Sequence, residues 1–136
     1  MPHRDIIVIG GGPAGAAAAI QAARLGIEVT VFEKGEHGRD KVCGDGLTPR
    51  AVGALNDLEI DLHDAHRIQG LRMIAGSKTR ELDWPETSRF PPHGAVWPRR
   101  QLDASLMEAA AVAGAELIYN TEVLPEVDAS GRCIGV

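Results

Sequence analysis

Cysteine is almost absent: Cys43 and Cys133 are the only two in 136 residues, and they lie far apart. That spacing excludes a disulfide framework and a cysteine-built metal site, so a reducing cytoplasm is the expected compartment. Aromatic side chains are scarce too, two Trp, one Tyr and two Phe, 4% of the chain. No apolar run approaches the roughly 20 residues a helix needs to cross a bilayer. The opening MPHRD runs straight into a strand-like stretch, so no signal peptide is expected. Positive charge is in deficit: 14 Lys and Arg against 19 Asp and Glu leave a net charge of -5, which gives no reason to expect nucleic acid as a partner. The basic pairs around Arg39–Lys41 and Arg99–Arg100 read as phosphate contacts or as a solvated face.

What is present suffices for one soluble domain, with 44% hydrophobic residues and a mean hydropathy of -0.08. The most informative stretch is Asp5 to Lys34, DIIVIGGGPAGAAAAIQAARLGIEVTVFEK. Asp5 to Ile9 predicts a strand buried on both faces, because Ile6, Ile7, Val8 and Ile9 are consecutive, β-rich and apolar. Gly10, Gly12 and Gly15 form G-x-G-x-x-G directly after it. Ala14 to Leu25 predicts a helix, with Pro13 in its first turn and Gly26 just past its end. Glu28 to Phe32 predicts a second strand, closed by Glu33.

Each of these residue types has a physical reason. Gly10 permits the tight turn, Gly12 lets a pyrophosphate approach the backbone, and Gly15 lets the helix pack close to the sheet. The first helical turn aims free N–H groups at phosphate. Glu33, about twenty residues past the glycines, can accept both ribose hydroxyls of an adenosine. Strand, glycine turn, helix, strand and acid together predict an ADP-binding βαβ unit.

The connection after Lys34 is long and rich in glycine and charge, which makes it functional or mobile. Thr48 is placed to cap a helix with Pro49 first in it, running to about Leu58 with Ala51, Val52, Leu55 and Leu58 inward. His63 and His66, with Asp61 and Asp64, make a poor metal set on a polar loop, and no metal is expected. Arg67 to Ala75 and Thr79 to Trp84 predict a hairpin across Gly76-Ser77-Lys78. A helix follows from Arg99 or Arg100 to about Ala113, with Leu102, Leu106, Ala109, Ala110 and Ala113 on one face, ended by Gly114. Glu116 to Tyr119 predicts a third parallel strand beside the first. Thr121 to Val127 and Arg132 to Val136 predict a hairpin across Asp128-Ala129-Ser130-Gly131. The fold class is α/β, a Rossmann-like FAD/NAD(P)-binding domain with a β-meander. It is expected to be incomplete, because the chain ends just after that hairpin. The interruption between the second strand and the last helix favours FAD over a nicotinamide.

DIIVIGGGPAGAAAA, VFEK and RDKVCGDGLTPRAV together resemble the N-terminal part of the geranylgeranyl reductase family of FAD-dependent oxidoreductases. GLRM, ELDWP and RRQLDASLMEAAAVAGAEL extend the resemblance over nearly the whole chain, toward members that reduce the isoprenoid chains of quinones. It implies a fold like that of p-hydroxybenzoate hydroxylase. Residues 1–136 would then be the N-terminal portion of the FAD-binding domain, with about 66–98 opening the inserted substrate-side hairpin. It implies that Gly10, Gly12, Ala14 and Gly15 hold the pyrophosphate, and that Glu33 binds the ribose with Lys34 beside it. Cys43, Gly44 and Gly46 would run along the flavin, in backbone contacts with no room for bulky side chains. Arg99 (with Arg100 as the neighbouring candidate) would reach the FAD phosphates or ribityl from an R-x-x-x-D pattern ending at Asp103. Val123 would offer its backbone to the adenine.

For catalysis the resemblance leaves Cys43 and Asp45 as candidates, with loop capping the alternative for Asp45. Its implied activity is reduction of geranylgeranyl or menaquinone side-chain double bonds. The electron donor is unnamed, and the substrate would bring the enzyme to the membrane surface as a peripheral protein. The second FAD motif of the family, a Gly-Asp segment, is absent, and 4% aromatics are too few to line a long lipid tunnel. This chain alone is therefore expected to be catalytically incompetent. The competing readings are a flavin monooxygenase of aromatic or polyketide substrates and a non-catalytic nucleotide-binding fragment.

Overall fold

The computed structural model describes residues 3–136; Met1 and Pro2, the start of the MPHRD opening, lie outside the described residues. In chain order the elements are β1 (Ile6–Ile9), α1 (Pro13–Arg24), β2 (Val29–Phe32), β3 (Gly46–Leu47), α2 (Pro49–Asp57), β4 (His66–Ile68) and β5 (Gly70–Ala75). They continue with β6 (Lys78–Asp83), β7 (Gly94–Val96), α3 (Arg99–Ala113), β8 (Glu116–Ile118), β9 (Glu126–Val127) and β10 (Cys133–Gly135). They divide into two compact units, one made of the chain up to Asp40 with Arg100–Val136, the other of Lys41–Arg99.

The first unit is built on a parallel sheet in the order β1-β2-β8, with Ile6 opposite Val29 and Thr30 opposite Glu116. The third strand therefore lies beside β2, not beside β1 as the sequence suggested. Right-handed crossovers step successive strands of a doubly wound half in one direction, which gives the order 3-2-1. Within this chain β1 is the outer strand of the three, and Ile6, Ile7 and Ile9 are 37%, 37% and 49% exposed where burial on both faces was expected. The buried central strand is β2, whose four residues are all inside.

α1 covers β1 and β2 with Ala16, Ala19 and Ile20, all fully buried. Small alanines let the helix axis approach the sheet closely. Leu25 caps the helix and Gly26 follows it. The buried stripe of α3 is Leu102, Asp103, Leu106, Met107 and Ala110, while Ala109 and Ala113 of the expected face are only half-buried.

After β8 the expected strand over Thr121 to Val127 shrinks to β9, because Pro125 has no N–H to give a ladder. The hairpin itself forms. The Asp128 carboxylate accepts from the N–H groups of Ser130 and Arg132 at 2.8 and 3.0 Å, closing the turn between β9 and β10.

In the second unit β7 is the centre of an antiparallel sheet ordered β3-β7-β4, and β5 pairs with β6. The single strand expected from Arg67 to Ala75 is broken at Gln69. Up to Ile68 it pairs with β7; from Gly70 it pairs with β6, where a Cβ at Gly70 would collide with the Leu82 carbonyl. Ala75 faces Lys78 across a two-residue Gly76-Ser77 turn. α2 starts as its sequence says: the Ala51 N–H donates to Thr48 Oγ1 at 3.4 Å, and Pro49 is in the first turn. Val52, Leu55 and Leu58 are buried. His63 is flanked by the carboxylates of Asp61 and Asp64 on the surface. Among the described residues no group of three or more His, Cys, Asp or Glu is placed to hold a metal, and no helix is long and apolar enough to cross a membrane.

Candidate nucleotide and flavin site

In the first unit the sequence motif converges at the carboxyl ends of β1 and β2, where open α/β sheets bind their ligands. Gly10 leaves β1 with φ 102, a left-handed conformation that side chains resist, and its N–H donates to the Phe32 carbonyl at 2.7 Å. Gly12 is the N-cap of α1, with no side-chain cap hydrogen bond. A Cβ added there meets nothing within 4 Å. The N–H groups of Ala14 and Gly15 have no acceptor inside the helix, so the turn offers donors and free space together. Gly15 is the opposite case. A Cβ there would drive into the Gly10 carbonyl oxygen and lie 3.0 Å from Val8 Cγ1.

Glu33 follows β2 directly and is only 4% exposed. Its Oε2 accepts the Gly11 N–H at 2.8 Å, and its Oε1 accepts the Gly35 N–H at 2.9 Å. Arg39 adds its Nε on Oε1 at 2.9 Å and its Nη2 on Oε2 at 3.4 Å. Burial alone would push this carboxyl up, but the Arg39 side chain and the two N–H donors hold it below the ordinary value of 4.5. The sign for stability follows. The Glu33 contribution is complete above 4.5 and is lost as pH falls through the lower folded value. A small recess beside it is lined by Gly11, Glu33, Gly38, Arg39, Asp103 and Tyr119. The Tyr119 hydroxyl is buried there and, among the described residues, finds no hydrogen-bond partner.

The second unit holds the loop of Cys43 to Gly46 together with Arg99. Asp45 sits in the left-handed region at φ 54. Its Oδ1 accepts the Arg99 N–H at 3.0 Å, and its carbonyl accepts the Trp97 N–H at 2.9 Å. The Asp45 carboxylate is thus engaged within its own unit by the Arg99 N–H, in keeping with the loop-capping alternative. Cys43 is exposed, and the Asp45 N–H, followed by the Arg99 guanidinium, holds its thiol below the ordinary value. Arg99 is half-buried and Arg100 exposed, so of the two neighbours Arg99 serves this loop. Gly44 has open space where a Cβ would stand, so nothing in this chain itself requires glycine at that position.

A reactivity prediction arises here. In a Cys133→Ser chain, a maleimide modifies Cys43 faster at neutral pH than it modifies an unstructured peptide thiol, because the thiolate is the nucleophile. Arg99→Ala slows the reaction several-fold. Equal rates for all three would remove the electropositive environment assigned to this thiol.

The remaining sequence candidates lie apart from these groups. Lys34 is on the surface, 3.8 Å from Glu122. Val123 is half-buried in the irregular segment between β8 and β9, not in a strand. The residue that sequence reasoning placed least well is Arg39, read only as a phosphate contact or solvated charge. The available signal was the spacing itself, an arginine six residues past a buried acid across two glycines.

Comparison with known proteins gives a consistent set. The sequence profile described as FAD dependent oxidoreductase matches residues 5–136. A menaquinone reductase of Mycolicibacterium smegmatis is 44% identical over 131 residues, covering 94% of this chain and 32% of the relative. A digeranylgeranylglycerophospholipid reductase of Thermoplasma acidophilum is 31% identical over 139 residues, covering 99% of this chain and 34% of the relative. Among solved structures, a geranylgeranyl bacteriochlorophyll reductase-like protein of Thermoplasma acidophilum superposes with a TM-score of 0.78 at 29% identity, over 97% of this chain and 34% of that one. The flavin-dependent halogenase CmlS superposes with a TM-score of 0.79 at 26% identity, over 96% of this chain and 24% of that one. The chain spans about a third of the length of the curated relatives it matches.

Proposed function

Because the chain belongs to the FAD dependent oxidoreductase family, we propose that it is the FAD-binding portion of a flavin-dependent reductase that saturates isoprenoid double bonds, on a menaquinone side chain or a geranylgeranyl group. Residues 1–136 then form the N-terminal portion of the FAD-binding domain, with 66–98 opening the substrate-side insertion. The observation that carries the cofactor is the cradle after β1: an open backbone at Gly12 beside uncapped helix donors, with the buried Glu33 carboxylate anchored on the Gly11 N–H. That arrangement fits the ADP half of FAD. Gly10, Gly12, Ala14 and Gly15 would hold the pyrophosphate, Gly10 by shaping the turn, since its own N–H is committed to Phe32, and the other three by N–H donation, and Glu33 would take the ribose, with Lys34 and the Val123 backbone bordering the adenosine. Cys43, Gly44, Gly46 and Arg99 are the proposed contacts of the flavin and ribityl end. When bound, FAD supplies the two-electron redox chemistry. The chain's own residues bind it, orient it and fix the charge around it. Cys43 and Asp45 remain the candidates for a proton-handling group, with Asp45 already committed to the Arg99 N–H. A reduced nicotinamide, a ferredoxin or a quinol-linked partner reloads the flavin, and the substrate holds the enzyme at a membrane surface.

The substrate class is supported by the activities of the relatives. The fold would serve a halogenase or a monooxygenase equally well. The test grafts residues 5–136 in place of the matching third of the Mycolicibacterium smegmatis menaquinone reductase. The graft is expected to keep FAD through gel filtration. Reduced anaerobically with dithionite, it is expected to add one pair of hydrogens to the menaquinone side chain, read by mass. A flavin-loaded graft that leaves the quinone mass unchanged, or that consumes oxygen on an aromatic substrate instead, overturns the reading.

A further inference from the structure

The Glu33 carboxylate has no vacant acceptor site. A carboxylate offers about four lone-pair positions, two on each oxygen. Here four N–H donors take them: Gly11 and Arg39 Nη2 on Oε2, Gly35 and Arg39 Nε on Oε1. The two glycine N–H groups are backbone, fixed by the turn after β1 and the end of β2. Arg39 is the one donor that can leave. It sits on the stretch Gly35–Arg39, which is tied at its start by the Asn120 N–H on the Gly35 carbonyl at 3.0 Å and at its end by the Arg39 N–H on the Glu36 carbonyl at 3.2 Å. Its side chain is 26% exposed, against 6% for the Glu33 side chain beneath it. Gly35 keeps room for it, since a Cβ at Gly35 would collide with the Arg39 stem.

The geometry of what Arg39 occupies is informative. It takes one lone pair on each carboxylate oxygen, through two donors fixed on one planar group. A ribose 2′,3′-diol presents two O–H donors on adjacent carbons and needs the same two positions. We propose that Arg39 is a latch that stands in for the ribose diol on Glu33, and that an adenosine nucleotide enters by displacing it. The proposal rests on the reading of Glu33 as the ribose carboxylate. It makes the latched form incompetent for ribose binding, so the apparent affinity is reduced by the fraction of molecules with the latch open. The same exchange makes the site selective for a nucleotide carrying both hydroxyls, since one hydroxyl would leave one position on the carboxylate unfilled.

ADP is the probe, because it needs only the first unit. Its association rate and affinity are measured for the unaltered chain and for Arg39→Ala, Arg39→Lys and Glu33→Ala, each checked by circular dichroism, with 2′-deoxy-ADP in parallel. Arg39→Ala is expected to bind ADP about tenfold faster and tighter, the gain for a latch closed in roughly nine molecules of ten. It is also expected to keep its preference for ADP over 2′-deoxy-ADP. Arg39→Lys, a single point donor, falls between. Weaker or unchanged ADP binding by Arg39→Ala overturns the latch and makes Arg39 a ligand contact or a purely structural clamp. The underlying reading fails separately: a double variant Arg39→Ala/Glu33→Ala that still prefers ADP over 2′-deoxy-ADP removes Glu33 from the ribose. Should Arg39→Ala not fold, the unaltered chain still decides. The Arg39 Nε–H is expected to be protected from exchange in the free chain and to lose that protection when ADP binds, and an Nε–H that stays protected with ADP bound excludes displacement.

Discussion

A Gly15→Ala chain is expected to lose about 3 kcal/mol of stability and, with it, nucleotide binding. Overpacking usually costs about 1–3 kcal/mol, and this position belongs at the upper end because the obstacle is backbone. The added Cβ drives into the Gly10 carbonyl oxygen, with Val8 Cγ1 3.0 Å away as well. A flexible side chain could rotate aside; this carbonyl cannot. Gly10 is held at φ 102, and its own N–H is fixed to Phe32 at 2.7 Å. Relief requires α1 to move off the sheet, and that exposes Ala16, Ala19 and Ile20. Against a total stability of about 5–15 kcal/mol for a domain, the change is large.

Gly12→Ala is the control that separates fold from site. Gly12 has φ -74, which alanine adopts freely, and no atom lies within 4 Å of the added methyl. The denaturation midpoint should stay where it is while ADP affinity falls, because the methyl stands where the phosphates approach. Urea titrations of both variants with ADP calorimetry measure the contrast. A Gly15→Ala chain with an unchanged midpoint would show that α1 does not depend on this close approach.

Local signals carried over from sequence to structure almost residue by residue. Pro13 in the first turn of α1, Gly26 after its end, Thr48 capping α2 and the Asp128 turn each act within four residues of where they stand, so the chain's order already contains them. What the sequence left open depends on residues far apart. Whether β8 lies beside β1 or β2 is decided by crossover direction, and the apolar run Ile6–Ile9 reads the same for an edge strand as for a central one. The break at Gln69 depends on β7, more than twenty residues away in the chain. The site shows the same division. Gly10, Gly12, Gly15 and Glu33 are legible because backbone freedom and a fixed spacing define them. The Arg39–Glu33 pair was not, because a charged residue in a polar loop has many possible partners and only folding selects one.

Replacing Glu33 by alanine should weaken ADP binding by about 10–150-fold, the equivalent of one charge-assisted hydrogen bond at about 1.5–3 kcal/mol. The number is this large because the carboxylate is prepared in advance. It is buried, and the Gly11 and Gly35 N–H groups hold it in one orientation at 2.8 and 2.9 Å, so once Arg39 has left, the ribose meets an acceptor that needs little reordering. Lys34, the next residue, supplies the contrast. It is 74% exposed and pairs with Glu122 at 3.8 Å, an arrangement worth about 0–1 kcal/mol, so Lys34→Ala should change ADP affinity less than about fivefold. Glu33→Ala also strips Arg39 of its partner and orphans two backbone donors, which lowers stability independently of any ligand. The comparison between ADP and 2′-deoxy-ADP removes that ambiguity, since a general loosening weakens both nucleotides alike. Loss of the preference for the second hydroxyl marks Glu33 as the group that reads the ribose. A Glu33→Ala chain that binds both as tightly as before would leave the carboxylate a structural member of the turn, and the adenosine would have to be held elsewhere.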